Sequence, residues 1–152
     1  MGPLILVLLL LVGCASPTPP AQPSPTEVTL AAGQEWKYHN RPGEDDSRVI
    51  ILKLEKGKDG TSLAHIAVTN LGEQGTVHHL PFTEKAVRAS LTELVGTTDY
   101  ESEPEGYKLW KADYDQGKAG VFDQPVAEAV ELVLKQARAQ RPEGEQSPSP
   151  TD

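Results

Sequence analysis

Ser47-Arg48-Val49-Ile50-Ile51-Leu52-Lys53-Leu54-Glu55-Lys56-Gly57-Lys58-Asp59-Gly60-Thr61-Ser62-Leu63-Ala64-His65-Ile66-Ala67-Val68-Thr69 is the stretch on which the fold turns. Its first half is rich in β-branched and aliphatic residues. Ile50, Leu52 and Leu54 alternate with Val49, Ile51 and Lys53, so both faces begin apolar, as in a strand at the centre of a sheet. Gly57-Lys58-Asp59-Gly60 carries the glycines and the aspartate that a tight reversal needs. Ser62–Thr69 then returns as a second strand with Ala64, Ile66 and Val68 on one face.

The strand pattern extends to both sides of this hairpin. Upstream, Trp36 and Tyr38 share one face of a short run, with Glu35, Lys37 and His39 on the other, and the polar turn 41–46 follows. Downstream, a loop at Asn70–Gly75 precedes a fourth short strand over Thr76–Leu80. The spacing then changes to that of helices. Thr83 is an N-cap residue and Phe82 before it can staple onto Val87. Val87, Leu91, Leu94 and Val95 fall on one stripe, and Gly96 ends the helix. A second helix starts at Ser102, with Glu105 completing a capping box. Its apolar face is Tyr107, Trp110 and Tyr114, and Gly117 stops it. A third starts at Pro125 and repeats Val126, Ala129, Val130, Val133, Leu134 and Ala137, with Glu128 near its start and Lys135 and Arg138 near its end. The expected class is α+β: an antiparallel three- to four-stranded meander followed by about three helices.

Composition narrows the partners. Fourteen Lys and Arg against 22 Asp and Glu give a formal charge of −8 over 152 residues. That balance disfavours nucleic acid, whose phosphates need a basic face, and adsorption to anionic lipid headgroups. The single cysteine, Cys14, rules out an intramolecular disulfide, so packing must hold the fold.

Cys14 also has a distinctive setting. Residues 4–12 are uninterrupted Leu, Ile and Val. A bilayer span needs roughly 20 apolar residues, whereas the core of a signal peptide needs only about 7–15. Leu11-Val12-Gly13-Cys14 follows directly and resembles the lipobox of bacterial lipoproteins. The resemblance implies that residues 1–13 are removed, that Cys14 receives diacylglycerol and a further acyl chain such as palmitate, and that the product is anchored in the cell envelope. With Ala15 after the cysteine, it implies outer-membrane sorting, facing the periplasm, in a diderm host. The pattern departs from the class in one respect: no Lys or Arg precedes the apolar run. Residues 14–26 are a Pro/Ser-rich tether, with five prolines between Ala15 and Thr26. At roughly 3.1 Å per residue in polyproline II it would reach about 35 Å. Residues 141–152 are again Pro, Ser and acid and read as a disordered tail. The folded domain is therefore expected over 27–140.

The chemistry-bearing residues give little. There is no Gly-x-Ser-x-Gly nucleophile elbow and no Gly-x-x-x-x-Gly-Lys phosphate loop. Neither a catalytic set nor a cofactor is therefore expected. Adjacent His78 and His79 would point to opposite faces of a strand and could not hold one ion. His39 and His65 lie on separate strands, and nothing in the sequence requires them to converge. No metal site is expected. Asp113-Tyr114-Asp115-Gln116-Gly117 fails the spacing of a calcium loop. Glu101, Glu103 and Glu105 could form a carboxylate cluster for acid–base work, but the preferred reading is that they sit at a helix N-terminus, where the dipole favours negative charge.

One cluster stands out. Trp36, Tyr38, Arg41, Glu44 and Asp46 place aromatic, cationic and anionic groups within eleven residues. Either they form a binding patch with Arg41 as anchor, or Trp36 and Tyr38 are core and Arg41 pairs locally with Glu44 or Asp46. The segment 33–47, with His79-Leu80-Pro81-Phe82 and Gly106-Tyr107-Lys108-Leu109-Trp110, resembles a family of small uncharacterised bacterial proteins. That resemblance implies a fold-sized unit and no assigned activity. The sequence thus points to a lipid-anchored envelope domain that binds a protein or glycan partner without catalysis. Two alternatives stand beside it: an inhibitor or immunity protein against a cationic envelope enzyme, and an envelope hydrolase using His with Asp or Glu. The hydrolase requires a cleft that gathers His78 or His79 with a carboxylate.

Overall fold

The computed structural model describes residues 28–102 and 104–140. The leader, Cys14, the tether and the tail lie outside the described residues, as does Glu103. Among the described residues, five strands and three α-helices form an α+β fold. The strands are β1 (Gln34–Tyr38), β2 (Arg48–Lys56), β3 (Ser62–Thr69), β4 (Val77–Thr83) and β5 (Leu91–Thr97). The helices are α1 (Glu84–Ser90), α2 (Pro104–Asp115) and α3 (Val126–Ala139). The sheet is antiparallel throughout, in the order β4-β3-β2-β1-β5. Its first four strands are the expected meander.

The fifth strand corrects the sequence reading. The helix expected from Thr83 to Val95 begins as anticipated, with the Thr83 side chain accepting from the Ala86 N–H. It ends at Ser90, whose hydroxyl donates back to the Ala86 carbonyl. Residues 91–97 then run along β1 as its second neighbour. Leu91 opposes Tyr38 and Leu94 opposes Trp36, so both leucines share the core face although they are three residues apart. A β-bulge between them supplies the extra residue and converts a strand's period of two into a local three. That spacing imitates one side of a helix.

A bulge also revises the face assignment of β2. Ile51 opposes Ile66 and Lys53 opposes His65, with Leu52 as the extra residue. Val49, Ile51 and Leu54 therefore share one face, while Ile50, Lys53 and Glu55 share the other. The expected strict alternation holds only up to Ile51.

The main hydrophobic core lies on one face of the sheet. Trp36, Tyr38, Val49, Ile51, Ala64, Ile66, Val68, Leu80 and Phe82 pack there against Ala86 and Val87 of α1 and Val126, Ala129, Val130 and Leu134 of α3. The spacing of α3 is the one read from sequence. The opposite face carries α2 across the β3–β4 side, and Trp110 is the buried residue of that helix. Trp110 also fixes the segment beyond α2, its indole N–H donating to the Gly120 carbonyl at 2.9 Å. Among the described residues no helix is long and apolar enough to cross a membrane.

Candidate functional site

The face under α2 is where polar groups meet. The β2 bulge turns Lys53 and Glu55 toward that face, beside His65 of β3. In β4, Ile66 pairs with Leu80 and Val68 with Val77, so His78 and His79 lie in a bulge between two core-facing residues. His79 thereby reaches His65, while the His78 imidazole takes the Tyr100 hydroxyl at 2.8 Å. His65 is 1% exposed at its side chain, so both ring nitrogens need partners. It has them: Nε2 is 2.9 Å from Glu55 Oε1 and Nδ1 is 3.0 Å from His79 Nε2.

Helix α2 closes the cluster with aromatic edges. The Tyr107 and Trp110 rings meet His65 edge-on, at centroid distances of 5.1 and 4.7 Å. The Tyr107 hydroxyl donates to Glu55 Oε2 at 3.0 Å and accepts from Lys53. Lys53 Nζ lies 2.9 Å from the same carboxylate oxygen and 4.0 Å from the Tyr107 ring centroid. The close approach of the helix depends on Gly106. A Cβ there would stand 3.0 Å from the Cβ of His79, nearer than packed carbons sit.

The charges follow from this network. Burial pushes the Glu55 carboxyl up, but hydrogen bonds from Lys53, His65 and Tyr107 outweigh it, and the group titrates below its ordinary range. Burial holds His65 below an ordinary histidine, with Glu55 partly opposing the shift. Burial, and then the neighbouring His65, bring His79 down to about 4. Near neutral pH the tautomers are therefore set in sequence. Ionised Glu55 accepts, so His65 carries its proton on Nε2. His65 Nδ1 then accepts, so His79 carries its proton on Nε2 and leaves Nδ1 as a lone pair.

These groups border an open cleft of about 700 Å³, with Lys53, His65, His79 and Tyr107 on one side and the segment Thr98–Ser102 on the other. The Lys53 side chain is 45% exposed where it borders the cleft. Tyr100 adds a second aromatic wall, and Asp99 and Glu101 bring carboxylates to the same cleft.

The five residues singled out from sequence are placed differently. Trp36 and Tyr38 are buried in the core. The Trp36 indole N–H donates to Gln34 Oε1, and the Tyr38 hydroxyl donates to Ser47 Oγ at 2.9 Å. Arg41 grips the Glu44 carboxylate with Nε and Nη2 and reaches Glu131 of α3 with Nη1. It thereby ties the turn to the helix layer. Asp46 borders a separate groove with Glu35 and Arg48. His39 and His65 do not converge, since His39 lies beside Ser90 and Pro125. Among the described residues no three His, Cys, Asp or Glu are grouped as metal ligands.

Sequence reasoning missed Lys53, Glu55, His65, His79, Tyr100 and Tyr107 as a set. The available signal was a pair of polar residues, Lys53 and Glu55, two apart on a strand read as central, opposite a histidine inside an otherwise apolar partner strand. No protein family, curated protein or solved structure was found to match the chain.

Proposed function

We propose that this chain is a lipid-anchored domain of the cell envelope that holds a sugar-containing ligand in the cleft between β2–β4, segment 98–102 and α2. The observation that carries the ligand class is the mixture of groups in one cleft: two tyrosine walls, a partly exposed lysine and two carboxylates. Both signs of charge beside aromatic surface suit a polyhydroxyl ligand better than a simple ion of either sign. The anchor rests on Leu11-Val12-Gly13-Cys14 and the proline-rich tether behind it.

Titrating the full-length chain in detergent with soluble envelope glycan fragments, and following backbone amide shifts, tests the ligand. Shifts confined to the cleft, and binding weakened about tenfold or more by Lys53→Met, are expected. Shifts elsewhere, or binding indifferent to Lys53→Met, overturn the reading. Cys14→Ala should remove the lipid mass increment and release the protein from membranes. Retention in the membrane fraction refutes the anchor.

A second reading is favoured by one feature, the Glu55–His65–His79 chain. A carboxylate orienting an imidazole, which in turn orients another, is an arrangement for moving a proton. Glycan or peptide cleavage in the same titrations, lost in His79→Gln, would convert the binding domain into a hydrolase.

A further inference from the structure

The two imidazoles meet in an unusual way. Their planes differ by 13° and their centroids are 5.2 Å apart. Combined with an N···N distance of 3.0 Å, this spacing brings the rings together edge to edge along a single hydrogen bond. Such a contact accepts zero added protons or one. With none, His79 donates to His65. With one, either ring becomes the cation and still leaves a donor facing an acceptor. With two, an N–H faces an N–H at contact distance between two like charges, and the bond cannot persist.

Helix α2 sits on this contact. Gly106 lies against His79, and Tyr107 and Trp110 lie against His65. It buries less than α3, with Trp110 as its buried residue against four in α3, and polar bonds from Tyr107 and Tyr114 supply much of the rest of its hold. Elements with few buried contacts are the ones that open locally.

We propose that His65 and His79 form a proton-operated latch: with one proton or none they seat α2 on the sheet, and a second proton parts the imidazoles and lifts α2 from the cleft. The groups facing the pair are Lys53 and Glu55 from β2 and Tyr107 from α2, with Asp99, Tyr100 and Glu101 across the cleft. Glu55 is the counter-ion in direct contact and compensates the first proton. Lys53 lies on the same carboxylate, so a second cation finds no equivalent partner there. The latch uses the cleft described above but does not depend on a ligand being held in it.

The test is a histidine and backbone NMR titration of the full-length chain from pH 7 to pH 3.5 without ligand. The expected result is that amides of 105–115 shift together with the last histidine protonation step while those of 126–139 keep their positions. His79→Gln can still donate to His65 Nδ1 but cannot take a proton, and it should keep α2 seated across the range. Should His79→Gln not fold, Gly106→Leu serves instead. The wedge should displace α2 at neutral pH and move the His79 titration from about 4 up toward the ordinary 6.5. Loss of α2 and α3 signals in one step, α2 unmoved once both histidines are charged, or an unchanged acid response in His79→Gln overturns the latch. So does a His79 titration left near 4 in a Gly106→Leu protein whose α2 is displaced.

Discussion

Ser90→Ala is the substitution whose consequence can be worked most fully from the structure. Ser90 is 3% exposed and stands where α1 gives way to β5. Its hydroxyl donates to the Ala86 carbonyl at 3.0 Å and accepts from the Val126 N–H at 3.0 Å. The second bond matters more. Val126 opens α3, is fully buried, and follows Pro125, which has no side-chain cap to offer. One hydroxyl from another element therefore replaces the missing cap. Alanine would leave the Val126 N–H buried without an acceptor, at a cost of about 1–3 kcal/mol. The Ala86 carbonyl is a smaller loss, and better helix propensity at position 90 returns a few tenths of a kcal/mol. The expected net is about 1–2 kcal/mol, which for roughly 110 folded residues lowers Tm by about 4–8 °C. Urea unfolding of the full-length protein measures it, with the slope of free energy on denaturant checking that the folded state is unchanged. A loss below about 0.5 kcal/mol at constant slope would refute the reasoning, because water would then have to reach a joint that the structure closes.

Two further outcomes follow from other parts of the molecule. His79 and His65 both titrate below the ordinary histidine value in the fold, so the unfolded chain binds their protons first, and stability is full above about 6.5 and falls as the pH drops toward about 4. The His79 share has an upper bound of about 3 kcal/mol; denaturation at pH 7, 5.5 and 4.5 reads it, and a flat profile over that range sinks the assignment. Gly57→Ala places a Cβ 2.8 Å from the Tyr114 hydroxyl, which must swing away and give up the Lys58 N–H. Because a ring tip can move, the cost should be only about 0.5–1 kcal/mol, and a loss above about 2 kcal/mol would show that the Tyr114–Trp110 stack is rigid.

The legible parts of the sequence were those with an unbroken period. Ser62–Thr69 pairs as a regular strand that is apolar apart from His65 and its polar ends, and Val126 to Leu134 keeps helical spacing; both elements are where they were read. Thr83 and Gly57–Gly60 mark a cap and a turn by local chemistry, which needs no distant partner. Legibility failed at the bulges. Leu91 and Leu94 have helical spacing in the chain and strand pairing in the sheet, and only the presence of β1 as a neighbour decides between them. Leu52 shifts Lys53 and Glu55 to the face of His65, and the extra residue in β4 lets His79 join them. A bulge has no periodic signature of its own, so the residues it gathers cannot be grouped from spacing. Trp36 and Tyr38 attracted notice because their types are rare here, but one aromatic side on a strand beside a core packs inward. The patch of mixed chemistry lies instead on the other face.

That division bears on why the polar chain exists. The main core, with α1, α3 and the aromatic residues of β1, is built without Glu55, His65 and His79. A leucine at 65 would fill the space under Trp110 and would require neither a carboxylate nor a second imidazole. Buried polar networks of this kind are commonly no more stabilising than apolar packing of the same volume, yet breaking one partner is severe. The fold therefore carries an arrangement sensitive to the loss of one partner at a place where apolar packing is the common alternative. The arrangement also leaves its last imidazole at the wall of an open cleft rather than sealed in the core. A network set apart from the main core, built on bulges and ending at a cleft, is the part of this molecule whose chemistry calls for a task.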